Sequence, residues 1–298
     1  MHNNLWLIVF LLCGPVIFVS YADAGVPQNS AAEPMVYRYW DWGMSERRDN
    51  YQYQLLQAAL VTTVEQYGSY KLERVKVSFS TSRARREIGR GNIINVHVGP
   101  WRPMDEKLPL GSEPSIRIDE PIFNNLFSYR RLIVRVDSAA QFIAINEEQQ
   151  LKNLVAGQGK GWVDVKIYKA NGYSVNDDAN ASNLFAMLKG QRFDYVPVSQ
   201  VEVENILNQY GDHLEVAPQP IVFFPMPMVY YVSAKKPILA ERLRLGLARV
   251  KMSGHLDSLL NHYFFDELSV IKKLEKKRLY YLTNPFYETP QGGMPPRK

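Results

Sequence analysis

Three glycines at alternating positions, Gly157, Gly159 and Gly161, close a short apolar run and lead into Trp162 in the stretch LVAGQGKGWVDVKIY. A strand, a glycine loop and a helix in that order present backbone N–H groups at a helix N-terminus. Such an end attracts anions, and Lys160 stands beside it. It is not a nucleotide loop. A phosphate loop requires Gly-x-x-x-x-Gly-Lys-Ser/Thr, whereas here Lys160 precedes Gly161 and Trp162 follows; a dinucleotide loop requires a third glycine where Trp162 stands. Gly159, Lys160, Gly161 and Trp162 are therefore read as one group that contacts a carboxylate or other anion on a small solute. The alternative is a tight turn that needs glycine only for its backbone angles.

Aromatic and cationic residues gather at two further strand ends. YRYWDWG puts Tyr39, Trp40 and Trp42 at the end of the first apolar strand, and HVGPWRP puts Trp101 and Arg102 at the end of the third. Ligands bind at such carboxyl ends in open α/β sheets, and aromatics there stack on a ring, a sugar or a cation or else pack within the lobe. His97 is expected as a strand residue facing the core or a helix. Arg192 and Asp194 are expected to hold structure, and Tyr129 and Arg130 either reach the cleft or pin a hinge. Catalysis finds little support: the five histidines form no His-x-x-x-His or His-Glu-x-x-His pattern, and Gly-x-Ser-x-Gly is absent. The carboxylate pairs Glu147-Glu148 and Asp177-Asp178 read as loop or helix-face charges. No enzyme, metal or cofactor is expected.

The chain has 298 residues, 46% hydrophobic and 22% charged, enough for two lobes with real cores. Leu5 to Val19 is an apolar run too short to span a membrane, interrupted by Gly14-Pro15 and followed by Ala22 and Ala24 in an Ala-x-Ala arrangement. It reads as an export leader over 1–24, cleaved after Ala24, although its start lacks Lys and Arg. Cys13, the sole cysteine, lies inside it, so the mature chain has no thiol for a disulfide, an iron–sulfur site or a nucleophile. An exported protein of this size without disulfides fits the bacterial periplasm. Removing the leader takes Asp23 with it and raises the net charge from +5 to +6. The excess sits in TSRARREIGRG and KKLEKKR, which read as solvated helix faces rather than nucleic-acid sites, since neither run interleaves aromatics.

Behind these residues the periodicity predicts β-α-β-α-β at the start: strand MVYRYW, a helix from Tyr51 stopped by Gly68, strand YKLERVKVSF, a helix begun by a Ser/Thr cap, and strand NIINVHVG. A strand RRLIVRV, a helix around NEEQQLKNL, the glycine loop and its helix, helix SNLFAMLKGQ, strand FDYVPV and a helix capped by Ser199 form a second α/β series. A long apolar strand region to Ser233, two helices and a Pro/Gly-rich tail follow.

This order resembles the type II periplasmic solute-binding proteins of the family 3 kind, which includes polar amino-acid binders, over about 35–287. NIINVHVG stands where that family has DVIISG, IRIDEPIFNN where it has S.PY, VAGQGKGWVD at its glycine loop, and LFAMLKGQRFDYVPVS at L..GRVDA…D. The resemblance implies two open α/β lobes, the second inserted in the first: lobe 1 over 25–134 and 229–275, lobe 2 over 135–228, a tail over 276–298, and hinge crossings near 134 and 229. It also implies a monomer that closes on a small polar or anionic solute for uptake through an ATP-driven permease, or that reports the solute to a membrane kinase or cyclase. The family's ligand clamp is altered. Lys107 falls near its carboxylate-binding arginine, with Arg102 a few residues earlier, and Ser199 stands where its acidic partner for an amine would be. The resemblance therefore carries Lys107 and Ser199 into the expected site while arguing against an ordinary α-amino acid.

Overall fold

The computed structural model describes residues 33–43, 45–103, 114–277 and 279–287. The expected leader with Cys13 and its expected cleavage site, Lys107, and the end of the expected tail lie outside them. Among the described residues the chain runs β1 (Met35–Asp41), α1 (Glu46–Val61), α2 (Val64–Tyr67), β2 (Tyr70–Lys76), α3 (Thr81–Arg90), β3 (Val96–Pro100) and β4 (Ser115–Arg117). It continues as β5 (Tyr129–Arg135), α4 (Ala139–Ile143), α5 (Glu148–Lys152), β6 (Val155–Gly159), α6 (Val163–Ala170), β7 (Ser174–Ala179), α7 (Leu184–Lys189) and β8 (Tyr195–Ser199). Then come α8 (Gln200–Tyr210), β9 (Leu214–Val216), β10 (Ile221–Phe223), β11 (Met228–Ser233), α9 (Pro237–Met252), α10 (His255–Leu274) and β12 (Leu279–Tyr281).

The strands form two sheets. One has the order β2-β1-β3-β11-β4, the other β12-β10-β5-β8-β6-β7 with β9 against β5. Parallel pairs β1/β2 and β6/β7 alternate with helices, and β11 returns antiparallel to β3. Strands β5 to β10 all belong to the second sheet and interrupt the first between β4 and β11, so the second α/β lobe is inserted in the first. Among the described residues no helix is long and apolar enough to cross a membrane.

The chain changes sheet at 118–128 and 224–227, not at 134 and 229. Val134 pairs with Tyr195 and Val229 with Gly99, so both expected hinge positions lie inside ladders. The apolar stretch IVFFPMPMVYYVS is instead cut into two strands by Pro225 and Pro227, which have no N–H to give a ladder. The segment expected as a tail from 276 also holds structure. Leu279–Tyr281 pairs with β10, and Tyr280 and Leu282 are buried, because an aromatic strand finds an open edge on the second sheet.

Local chemistry sets the helix ends that matter for the cleft. The Ser45 and Ser80 hydroxyls accept from the N–H groups of Arg48 and Arg83 to start α1 and α3, and Gly91 ends α3 in the left-handed region. Ser199 and Glu202 form a capping box on α8. Arg242 on α9 is fully buried, and its guanidinium donates to the Thr63 hydroxyl and the Gly68 carbonyl (both 2.9 Å), pinning α9 to the end of α1 and α2.

α9 also approaches α1 through Gly246, where a Cβ would fall 2.2 Å from the Ala59 carbonyl oxygen. Gly246→Ala would force backbone apart, and overpacking of this kind costs about 1–3 kcal/mol. The gain of up to about 1 kcal/mol in helix propensity should not offset it. Urea unfolding should show a lower midpoint with an unchanged slope; a variant as stable as the parent would mean the helices do not pack this closely.

Candidate functional site

A cleft of about 1090 Å³, counting the part open to solvent, lies between the two sheets. The first lobe supplies Trp40 and Trp42 from β1 and its end, Arg48, Asp49 and Gln52 from α1, Arg85 from α3, and His97 and Arg102 from β3 and its end. The second supplies Arg130 from β5, Gly161 to Asp164 around the start of α6, Pro197 from β8 and Glu202 from α8. Met226 and Met228 come from the return crossing and the start of β11. A smaller chamber of about 580 Å³ on the same measure adjoins it, sharing Arg85, Arg102 and the Gly161–Val163 turn, and adding Lys166, Asp177 and Phe286.

Four helix N-termini border the cleft; those of α1, α6 and α8 carry a carboxylate of their own in or beside the first turn, and that of α3, at Thr81, carries none. Asp164 of α6 meets Arg130 at 2.8 Å, and both are buried. Burial raises the Asp164 carboxyl, Arg130 draws it back down and Glu202 raises it again, with a net shift upward. Glu202 of α8 accepts from Arg48 (3.3 Å) and also receives the Ser199 hydroxyl (2.9 Å). Asp49 of α1 lies 3.7 Å from Arg48 and accepts the Gly43 N–H at 3.0 Å, which also donates to Asp41 at 2.9 Å. Burial and the neighbouring Asp41 charge push the Asp49 carboxyl up despite Arg48. Burial acts upward on Asp41 as well, but hydrogen bonding and charge from Arg74 (2.5 Å) bring it below its ordinary value.

Arg102 differs. It is 9% exposed, its guanidinium lies 4.8 Å from the Tyr231 ring centre, and no carboxylate among the described residues pairs with it. Beside it His97 stacks on the Tyr231 ring, with the ring centres 5.1 Å apart. His97 Nδ1 lies 3.1 Å from the Val98 carbonyl, which only accepts, so the proton sits on Nδ1. Burial, then the positive fields of Arg102 and Arg85, lower its pKa to about 3.

Of the expected residues, Trp40, Trp42, Arg102, Gly161 and Trp162 line the cleft. Tyr39 does not. It points to the opposite face of β1 and donates to Gln52 Oε1 (2.6 Å), holding a cleft residue from behind. Trp101 turns away, under Arg117 (3.8 Å) and edge-on to Tyr287 (5.4 Å), with its N–H on Asp119 (3.1 Å). Gly159 serves sterically: its Cβ would meet the Trp162 indole at 2.3 Å. Lys160 is exposed and absent from the wall, and the left-handed Gly161 (φ 77°) makes the turn that follows it. Ser199 is fully buried as a helix cap, so Glu202, three residues on, reaches the cleft instead. Lys107 lies outside the described residues.

Sequence reasoning missed Asp49, Gln52, Asp164 and Glu202, and it assigned Arg85 to a solvated face. The helical period of α3 carried a usable signal: Ala84 and Ile88 pack inward and Arg85 lies beside them, whereas Arg83 and Arg90 are exposed. Asp194 has the structural role expected of it, exchanging hydrogen bonds with Val155 to tie the turn before β8 to β6 (2.7 and 2.9 Å).

No family model matches the chain, and no curated protein does. Solved structures do match. An ancestral arginine-binding protein bound to arginine is 18% identical, with a TM-score of 0.55 over 77% of this chain and 98% of that one. A Salmonella typhimurium periplasmic binding protein of high arginine specificity is 11% identical, with a TM-score of 0.55 over 77% and 99%. A histidine kinase sensor domain with similarity to periplasmic binding proteins is 13% identical, with a TM-score of 0.52 over 78% and 96%. The chain thus has the two-lobe fold of the type II periplasmic binding proteins, with a sequence far from theirs.

The state of His97 makes a pH prediction. Folded, it stays neutral down to about pH 3; unfolded, it takes a proton below its ordinary 6.5. Between those values the unfolded chain binds more protons, so this contribution to stability is complete above 6.5 and is lost as the pH falls. His97→Asn removes it. The stability difference between parent and variant should shrink on acidification from 6.5 to 4 by up to about 1.4 kcal/mol per unit. Parallel stability profiles for the two proteins would show that His97 is protonated in the fold.

Proposed function

We propose that the protein is an exported solute-binding protein. Its leader is removed after Ala24, and its two lobes close as a monomer on a small polar or anionic solute and deliver it to a membrane permease. The observation that carries this reading is one cleft walled by both lobes, with aromatic faces from Trp40, Trp42 and Trp162 and arginines from each side. The two crossings at 118–128 and 224–227, tied to each other where the Phe224 N–H donates to the Ser128 carbonyl, are the hinge. Closure buries the solute between Gly161–Trp162 and the β1 and β3 ends, and removing water there strengthens every charged contact. No catalytic step is assigned to the cleft.

A second reading has its own support. The likeness to a kinase sensor domain, and the pairs Arg48–Glu202 and Arg47–Glu204 that already join the lobes, fit a protein whose closed form is read by a membrane kinase or cyclase. Permease and ATPase genes beside the gene would favour uptake, and a kinase or cyclase gene would favour sensing.

Thermal unfolding against amino acids, amines, sugars and organic acids tests the shared core of both readings. A ligand present at ~100 times its dissociation constant adds about 2.7 kcal/mol. One chemical class should raise the melting temperature and also change the tryptophan fluorescence, since three of the five tryptophans line the cleft. A folded protein that responds to no compound in either measurement would rule out solute capture.

A further inference from the structure

The charges in the cleft are unequally committed. Asp164 is held by Arg130, and Glu202 by Arg48 and the Ser199 hydroxyl. Asp49 sits between Arg48 and the Gly43 N–H beside a second carboxyl, Asp41. Among the described residues, an ammonium group entering the cleft or its adjoining chamber would find no carboxylate without an arginine or lysine already beside it. The converse holds for an anion. Arg102 is nine-tenths buried, stacks on Tyr231 through one face, and has no carboxylate partner among the described residues. The side chain also hydrogen-bonds the Tyr231 hydroxyl, and a guanidinium has further N–H donors with which to take a carboxylate. Arg102 also stands where both chambers meet, with Arg85 beside it and Trp162 across from it. The rest of the wall is flat and apolar: Trp42, Trp162, Phe127, Met226 and Met228.

We propose that the solute is an aromatic carboxylate without an ammonium group, its carboxylate taken by Arg102 and its ring held against Trp42 and Trp162. This rests on the cleft being a solute site, and it departs from the amino acids bound by the structural relatives. The carboxylate completes an arginine that has no carboxylate partner among the described residues. An α-amino acid of the same skeleton would bring a cation among Arg48, Arg85 and Arg130 with no free counter-charge.

Matched pairs test this on the purified protein. 3-Indolepropionate and L-tryptophan differ only in the ammonium group, as do 3-phenylpropionate and L-phenylalanine; indole-3-propionamide removes the negative charge. Titrations followed by tryptophan-independent calorimetry should show at least one deaminated acid binding ten-fold or more tightly than its amino acid, with no binding of the amide. Arg102→Gln should weaken the acid ten-fold or more while leaving a cooperative melt. Amino acids that bind as tightly as the acids would overturn the aromatic-carboxylate assignment and leave solute capture standing. If neither member of a pair binds, the assignment is wrong. The wider panel of the unfolding experiment then decides whether solute capture falls with it. The acid–amino acid comparison needs no variant, so it stands even where Arg102→Gln fails to fold.

Discussion

Arg130 and Asp164 face each other at 2.8 Å on the floor of the cleft, and each is almost wholly removed from water. A guanidinium buried alone would cost several kcal/mol, so Arg130 is tolerable at the start of β5 only if α6 brings a carboxylate to it. α6 does this only if the loop before it turns tightly enough to set Asp164 in the first turn. That demand accounts for the glycines. Gly161 takes a left-handed φ of 77°, and Gly159 leaves the space that the Trp162 indole fills. Gly157 does the same for Phe193 in the core of the same lobe, where a Cβ would fall 2.2 Å from the ring. The loop is shaped by packing and by one ion pair.

The same requirement recurs at the other helix ends. An α-helix N-terminus favours negative charge, and at α1, α6 and α8 the chain supplies that charge with Asp49, Asp164 and Glu202, while α3, whose Thr81 also lines the cleft, has none in its first turn. The arginines opposite then neutralise those carboxylates. The helix end after the glycine loop is thus already served by Asp164, whereas at β3 burial and the like charges of Arg102 and Arg85 keep His97 neutral.

Elements were legible in the sequence wherever period and punctuation agreed. Ser80 and Gly91 bracket α3, Ser199 opens α8 and Gly190 closes α7 at the expected places. Strand ends were also legible as the rim of the site. What local pattern could not resolve was the side of a strand on which a residue falls. Tyr39 and Trp40 are neighbours, yet the two-residue period of β1 sends Tyr39 into the main core and Trp40 towards Phe79, Ile88 and the cleft. Ser199 stands at the expected turn, but a capping serine spends its hydroxyl on the helix, and it is Glu202 that lines the cleft. Arg130 and Asp164 are brought together by topology, and no spacing in the sequence announces them. Similarly, one apolar stretch became two strands of different sheets because two prolines break the ladder between them.

The pairs that join the lobes differ in strength, and the difference bears on how the cleft works. Arg47–Glu204 has Glu204 two-thirds exposed, and an exposed pair contributes at most about 1 kcal/mol. Arg48–Glu202 is better shielded, with Arg48 buried, yet Arg48 divides its charge between Glu202 and Asp49. Moving a two-state equilibrium from mostly open to almost wholly closed takes about 5.5 kcal/mol. Pairs of this kind supply only part of that, so they bias closure without completing it.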